Sequence, residues 1–241
     1  MMVAQYDPHS KKAKLVTIMR DSYVNIPGES PHYNKINSAY SQGGPELLRK
    51  TIKKNFGIDV NHFITIDFKG FVKVIDMIAP EGIEVNVTKK MIEDMNLNVE
   101  PGAQKLHGKD LLSYVRFRHD KLSDFGRVQR QQEVLSLLKD TFKEQLGSVN
   151  GILELPEIGE EIIRDIDTDM DFKTFLSLGK VVLFDQVKGI ESMRVPVPNS
   201  YSNREYPHAG QVLQLDLDEN KEAIQNFFEK NPKPVTKEKS E

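Results

Sequence analysis

Residues 62–87, HFITIDFKGFVKVIDMIAPEGIEVNV, contain the pattern that decides the fold class of this chain. The pattern predicts a strand over 62–67, a helix over 68–78 and a second strand over 83–87. The same alternation recurs elsewhere. Further strands are predicted at 2–6, 14–19, 192–197 and 211–216, and further helices at 45–55, 108–114, 125–146, 151–164, 171–178 and 219–228. Alternating strands and helices favour a single three-layer α/β/α domain with a central mixed β-sheet.

The length and composition of the chain set limits on this domain. Its 241 residues, 38% of them hydrophobic, are enough for one large core. We predict one domain over residues 1–230, followed by a disordered tail over 231–241 that is rich in Lys, Glu and Pro. The first predicted strand is apolar, and we therefore expect it inside the sheet rather than at a free edge.

Charge and hydropathy argue against two classes of protein. The net charge is −3 and the basic residues are not widespread, so we expect no nucleic-acid partner. No apolar run reaches the roughly 18 to 20 residues of a membrane span, and the chain by itself is expected to be soluble.

A second stretch, residues 114–132 with the sequence YVRFRHDKLSDFGRVQRQQ, carries four arginines in a short span. A guanidinium group binds phosphate oxygens two at a time, so arginines that converge on one pocket indicate a ligand such as a diphosphate. If a helix begins at 125, Arg127, Arg130 and Gln131 share one face. Arg116 and Arg118 share a side only if their segment is extended. A solvated basic helix face paired with nearby acids is the alternative interpretation.

A third polar group follows the second predicted strand. Arg20 and Asp21 come directly after it, where ligands of open α/β sheets gather. Lys35 and Asn37 precede the helix predicted at 45–55, and its positive end favours an anion. An ordinary surface role for Lys35 is the alternative.

These motifs resemble the LytR-CpsA-Psr family of Gram-positive cell-wall enzymes. The resemblance is carried, in order, by RDSYVNIPG, KINSAYSQGG, the segment 62–87, LHGKDLLSYVRFRHD and DFGRVQRQQEVLSLL. Family members transfer a glycopolymer, such as wall teichoic acid or capsular polysaccharide, from an undecaprenyl-diphosphate carrier to peptidoglycan. The resemblance therefore implies a phosphotransferase, with a polyprenyl tail held in an apolar tunnel.

Residue roles follow from the resemblance position by position. It implies that the catalytic arginines around the diphosphate are Arg20, Arg116, Arg118 and Arg127. It further implies substrate-binding roles for Gln131 and for Asp21, Asp124 and Arg130 of the same motifs, to which position before a helix adds Lys35 and Asn37. Arginines and a divalent ion around a diphosphate are sufficient for phosphoryl transfer, which needs positioning and charge stabilisation more than a covalent nucleophile.

The resemblance also implies a Mg²⁺ cofactor, held in family members by aspartates that would lie upstream of Met1. We therefore expect no metal ligand in this chain and poor magnesium binding. We also expect that this sequence lacks a preceding membrane helix, through either truncation or a misplaced start site. The resemblance places the protein at the extracellular face of a Gram-positive cytoplasmic membrane. Two other functions stay open: a non-catalytic lipid-diphosphate-binding or regulatory protein of the transcription-attenuator type, and a prenyl pyrophosphatase that uses water as acceptor.

Overall fold

A computed structural model describes residues 1–7, 12–28, 32–119, 124–145, 149–184 and 190–229. Contacts between Cα atoms divide the chain into two compact units, the first formed by residues 1–60 and those from 191 onward, the second by residues 61–190. The described strands are β1 (Met2–Asp7), β2 (Lys12–Ile18), β3 (Ser22–Asn25), β4 (Tyr33–Lys35), β5 (Ile64–Thr65), β6 (Ile83–Val87), β7 (Gly102–Leu106), β8 (Asp167–Thr168), β9 (Ile190–Val195), β10 (Tyr201–Tyr206) and β11 (Gly210–Leu215). The described helices are α1 (Ile36–Phe56), α2 (Phe68–Ile78), α3 (Lys89–Met95), α4 (Gly108–Arg116), α5 (Asp124–Gln145), α6 (Val149–Arg164), α7 (Phe172–Phe184) and α8 (Leu217–Glu229).

The first unit contains two sheets. One has the strand order β1-β2-β9, and the other has the order β10-β11-β3-β4. The second sheet is mixed, because β11 runs parallel to β3 while its other pairs are antiparallel. Helices α1 and α8 contribute Ile52, Phe56 and Ile224 to the core of this unit, where they meet Val16 and Ile18 of β2.

The second unit is mainly helical, with two short antiparallel sheets, β5-β8 and β6-β7. Its core joins alternate residues of β6 to the helices around it, because Ile83, Val85 and Val87 are buried while the residues between them are exposed. Leu111 of α4 and Val134 of α5 pack into the same core. The predicted α/β class with mixed sheets is confirmed. The single domain over 1–230 stays a prediction, and the tail at 231–241 lies outside the described residues.

Several predicted elements agree closely with the structure, and others need correction. The helix at 68–78 and the strand at 83–87 have the predicted bounds. The strand predicted at 62–67 shortens to β5, because the Asp67 side chain accepts a hydrogen bond from the Gly70 amide at 2.7 Å and so begins α2. Side chains rather than a strand partner bind the Phe63 backbone, since its N–H donates to Asp169 and its carbonyl accepts from Thr168.

The expectation that the first strand lies inside its sheet is wrong for the described residues. There β1 pairs with β2 alone and forms the edge of its sheet. Its apolar side chains are buried through one face instead, because Val3 is buried and Met1 packs against the core of the first unit. An edge strand therefore accounts for the apolar sequence as well as a central one would.

Lys14 of β2 is buried and ends helix α8. Its Nζ donates to the carbonyl oxygens of Phe227 and Phe228 at 2.7 and 2.9 Å. The ammonium also lies 5.7 Å from the Phe227 ring centroid. A cation at this position satisfies carbonyls that a helix leaves unpaired at its C-terminus and interacts favourably with the helix dipole.

We expect Lys14→Ala to lower the free energy of unfolding by about 2 kcal/mol, because two charge-assisted hydrogen bonds are lost. Urea denaturation followed by circular dichroism measures this change. Lys12→Ala is the matched control, since Lys12 is partly exposed and its 2.6 Å ion pair with Glu191 is worth roughly 0 to 1 kcal/mol. Equal losses for the two variants would contradict the assigned role of Lys14.

Candidate active site

Four predicted site residues meet at the end of β2 in the first unit, and we call Arg20, Asp21, Lys35 and Asn37 the Arg20 cluster. Arg20 Nε donates to Asp21 Oδ2 at 3.1 Å. The Lys35 ammonium lies 3.2 Å from Asp21 Oδ1, so one carboxylate holds two cations side by side. The Asn37 N–H donates to the Arg20 carbonyl at 3.4 Å and ties the loop to the helix. The cluster carries a net charge of about +1 beside a helix N-terminus, which favours an anion.

The helix that positions this cluster begins earlier than predicted. Lys35 is the N-cap of α1 and Asn37 lies in its first turn, whereas the sequence predicts a helix only from residue 45. Buried Ile36 and Ala39 hold this first segment on the core. The helix is interrupted at Gly43 and Gly44, where Gly44 has φ of 61°, and the predicted start at Pro45 is the start of its second segment.

A second group of predicted residues surrounds the contact between α4 and α5 in the second unit. Arg130 is 7% exposed, and its Nη2 donates to the Phe117 carbonyl while the guanidinium lies 5.2 Å from the Phe117 ring centroid. One position further along α5, the Gln131 side-chain amide donates to the Val115 carbonyl at 3.4 Å. These two contacts fix the backbone on both sides of Arg116.

The remaining arginines of this group lie around that contact. Arg116 is exposed, with its guanidinium carbon 4.2 Å from the centroid of the Phe68 ring, which is itself 58% exposed. Arg118 and Arg127 are half-buried. Arg127 precedes Arg130 by one turn of α5 and shares its helix face. We call Arg116, Arg118, Arg127, Arg130 and Gln131 the α4–α5 arginine cluster.

Helix α4 is longer than predicted, and this changes the geometry of the first two arginines. It runs from Gly108 through Arg116, past the predicted end at 114, because Val115 is buried against the core. The chain leaves the helix at Phe117, with φ of −57° and ψ of 139°. Arg116 thus ends a helix and Arg118 follows in non-helical chain, so the two do not lie on one extended segment.

Further polar contacts position the backbone that carries Arg118. His119 Nδ1 lies 3.0 Å from Asp94 Oδ2 of α3, and Lys90 Nζ lies 3.2 Å from the same oxygen. The hydrogen bond from Lys90 lowers the pKa of Asp94, and the contact with His119 acts in the same direction.

A second polar contact joins α4 to α5, where Tyr114 donates to Glu133 Oε2 at 3.2 Å. Burial raises the pKa of Tyr114 to about 12, with a further contribution from the Glu133 charge, which keeps the phenol protonated.

The predicted site residues thus form two groups. The Arg20 cluster belongs to the first unit and the α4–α5 arginine cluster to the second, and their convergence on one ligand stays a prediction. The Asp124 side chain lies outside the described side chains. The buried position of Arg130 gives it a structural contact, and its role in substrate binding stays a prediction.

Sequence reasoning missed the aromatic partners of these arginines. Phe68 lies under Arg116 and Phe117 under Arg130. The Phe68 ring is exposed although it belongs to an apolar helix. No spacing pattern signals either contact, because each depends on tertiary packing.

Comparison with known proteins decides the family. The profile of the LytR_cpsA_psr family matches residues 1–226. The chain belongs to this family. Regulatory protein MsrR of Staphylococcus aureus strain COL is 40% identical over 235 residues, which cover 96% of this chain and 69% of MsrR.

Two further members of the LytR-CpsA-Psr family are similar to this chain. The polyisoprenyl-teichoic acid–peptidoglycan teichoic acid transferase TagV of Bacillus subtilis strain 168 is 26% identical over 98% of this chain and 61% of TagV. The structure of TagT bound to LI-WTA has a TM-score of 0.73 and 27% identity, covering 94% of this chain and 83% of that chain. Within the described part of this LytR-CpsA-Psr chain, no helix combines the length and apolar character that crossing a membrane requires.

Proposed function

We propose that this chain is a transferase that moves an anionic glycopolymer from an undecaprenyl-diphosphate carrier to peptidoglycan. The observation that carries the proposal is the α4–α5 arginine cluster, in which Arg130 and Gln131 fix the backbone that presents Arg116 and Arg118. Family membership supports the same reading, because TagV is named as a teichoic acid transferase to peptidoglycan.

The reaction that this arginine set suits is phosphoryl transfer. An acceptor hydroxyl oxygen forms a bond to the phosphorus that carries the glycopolymer, and the bond from that phosphorus to the bridging oxygen of the diphosphate breaks. Polyprenyl phosphate leaves with the bridging oxygen, and the hydroxyl proton passes to solvent. Guanidinium groups stabilise the charge on the phosphoryl oxygens and on the leaving phosphate. In this proposal Arg116, Arg118 and Arg127 bind the diphosphate, a role that the family resemblance also implies for Arg20.

Contacts around Arg20 and Arg116 support their orientation before the ligand arrives. Asp21 holds Arg20 and Lys35 beside one another, although their like charges repel. The Phe68 ring supports the Arg116 guanidinium from one side, which leaves the guanidinium edge for phosphate oxygens. Orientation before binding reduces the entropy that is lost when the diphosphate binds.

The family resemblance implies magnesium, but Asp21, the carboxylate of the Arg20 cluster, does not fit a magnesium site. Magnesium binds one or two carboxylates together with water and substrate phosphates. Asp21 instead contacts two cations, Arg20 and Lys35. Within the ranges that the structure describes, no three His, Cys, Asp or Glu residues form a group that could hold a metal. No step of the proposed mechanism is therefore assigned to magnesium.

We expect Mg²⁺ titrated into residues 1–241 to show no saturable binding by calorimetry, because the two cations at Asp21 repel a third. The control is an Asp21→Asn variant, which should give the same flat titration. Saturable binding to the parent that is lost in Asp21→Asn would contradict this expectation and make Asp21 a metal ligand.

A regulatory role is the second candidate, and the name of MsrR, Regulatory protein, is the observation that favours it. Such a protein would bind the lipid diphosphate without turnover. A prenyl pyrophosphatase would use the same arginines with water as acceptor.

Product analysis separates these three functions. The chain is incubated with lipid-linked glycopolymer, with and without peptidoglycan oligomers, and the products are identified by mass spectrometry. A transferase gives a glycopolymer–peptidoglycan conjugate only when the oligomer is present. Release of free phosphorylated glycopolymer in both samples would establish hydrolysis, and unchanged substrate in a sample that binds the lipid would favour the regulatory role.

A further inference from the structure

An aromatic cluster lies on the four-stranded sheet of the first unit, and the proposed phosphoryl chemistry makes no use of it. The rings of Tyr23 and Tyr206 are stacked, with centroids 4.6 Å apart and planes at 15°. The Tyr33 ring lies 5.8 Å from that of Tyr23, and the His208 ring lies 5.8 Å from that of Tyr206. We call Tyr23, Tyr33, Tyr206 and His208 the aromatic platform.

The platform occupies the sheet face opposite the core. Tyr23 is paired across the sheet with Gln214 on one side and Lys35 on the other, so these three residues share a face. Val24, the next residue on β3, points the other way and is fully buried in the core of the unit. Tyr33 is 43% exposed and His208 is also exposed, while Tyr23 forms the buried base.

Hydrogen bonds hold the platform rings in place. His208 Nε2 lies 3.1 Å from the Tyr33 carbonyl and 3.2 Å from the Tyr23 hydroxyl. The Tyr206 hydroxyl donates to Gln214 Oε1 at 3.1 Å. These contacts join four strands and a turn, so the exposed rings form a prearranged surface with polar groups at its edge.

The shape of this surface favours a glycan. An aromatic face bordered by hydroxyl, amide and imidazole groups suits a pyranose ring, which presents C–H bonds on its faces and hydroxyls at its edge. Arg204 lies two residues before Tyr206 on β10 and so shares its sheet face, while Glu205 lies on the opposite face. Binding of a polyanionic glycopolymer at this surface is therefore the competing outcome that the titrations distinguish.

The platform adjoins the Arg20 cluster. Lys35 stands opposite Tyr23 in the register of β3 and β4, and its ammonium reaches Asp21. A glycan on the platform therefore has its hydroxyls next to residues that the proposed function assigns to the diphosphate. We propose that the aromatic platform binds the uncharged N-acetylhexosamine backbone of the acceptor, and this inference rests on the proposed function for the identity of that acceptor as peptidoglycan.

Calorimetric titration of the full chain with chitotetraose, an uncharged N-acetylhexosamine oligomer, tests the proposal. Tyr33→Ala should weaken binding about tenfold, because one stacking surface is lost, and Tyr33→Phe should bind as the parent does. His208→Ala, at a second exposed position, should weaken binding as well. Tyr40→Ala is the matched control, since Tyr40 is a 38% exposed tyrosine of α1 outside the platform.

Two further titrations distinguish the possible failures. Purified polyanionic teichoic acid serves as a second titrant, and its binding should not depend on Tyr33. Dependence of teichoic acid binding, rather than chitotetraose binding, on Tyr33 would overturn the proposal in favour of the donor polymer. The proposal also fails if the parent does not bind chitotetraose, or if Tyr33→Ala and His208→Ala bind it as the parent does. Farnesyl diphosphate titrated into the parent tests the proposed function independently, because its binding depends on the arginines.

Discussion

Arg118→Ala should weaken the binding of farnesyl diphosphate to this chain by roughly 10- to 150-fold, equivalent to about 1.5 to 3 kcal/mol. The reason is the loss of a charge-assisted contact from a guanidinium that can bind two phosphate oxygens at once. Arg118 is half-buried, and its backbone is held by His119 on Asp94 and by Arg130 on Phe117. Calorimetry with parent and variant at one ionic strength measures the effect, since phosphate contacts are salt-dependent.

Two variants control for charge and for shape. Arg164→Ala removes an exposed arginine of the same unit, which lies 3.6 Å from Glu160, and should leave binding unchanged. Arg118→Lys keeps the charge but not the planar two-point contact, and should give an intermediate affinity. An Arg118→Ala variant that binds as tightly as the parent would remove Arg118 from the proposed site.

Arg130→Ala should lower the free energy of unfolding of the chain by about 4 kcal/mol. The substitution deletes a charged hydrogen bond to the Phe117 carbonyl and a guanidinium over the Phe117 ring, and it leaves a cavity in the contact between α4 and α5. Urea denaturation followed by circular dichroism at 222 nm measures the loss.

The stability of Arg118→Ala provides the comparison for this experiment. Because Arg118 is half-buried outside the helices, its removal should change the free energy of unfolding by about 0.5 kcal/mol or less. An Arg130→Ala variant as stable as the parent, with weakened diphosphate binding, would show that Arg130 is a ligand-binding residue instead.

Much of the fold is predictable because the periodicity of apolar residues reports burial directly. The helix Phe68–Ile78 and the strand Ile83–Val87 were predicted with their observed bounds. Helix α3 was missed, as were strands β3, β4, β7, β8 and β10. They are short or carry mostly exposed side chains, as in Tyr201–Tyr206, so that tertiary pairing rather than local pattern defines them.

The candidate site was predictable in its residue types and less so in its geometry. Arginine density identified the α4–α5 arginine cluster, and the helix face shared by Arg127, Arg130 and Gln131 follows from spacing alone. Spacing does not report that the Arg130 guanidinium is buried on Phe117, because that depends on how two helices pack. Spacing also does not indicate that Asp94 contacts His119, because the two residues are 25 positions apart in the chain.

The break in α1 separates a first segment, which begins at the Arg20 cluster, from a second segment that continues to the end of the helix. Before Gly43, the helix presents Lys35 and Asn37 and is held by Ile36 and Ala39; after Gly44, its Ile52 and Phe56 fill the core. All four apolar residues belong to one core, yet the backbone ladder is interrupted between the two segments. The segment that carries Lys35 and Asn37 therefore need not share the helix axis along which Ile52 and Phe56 pack.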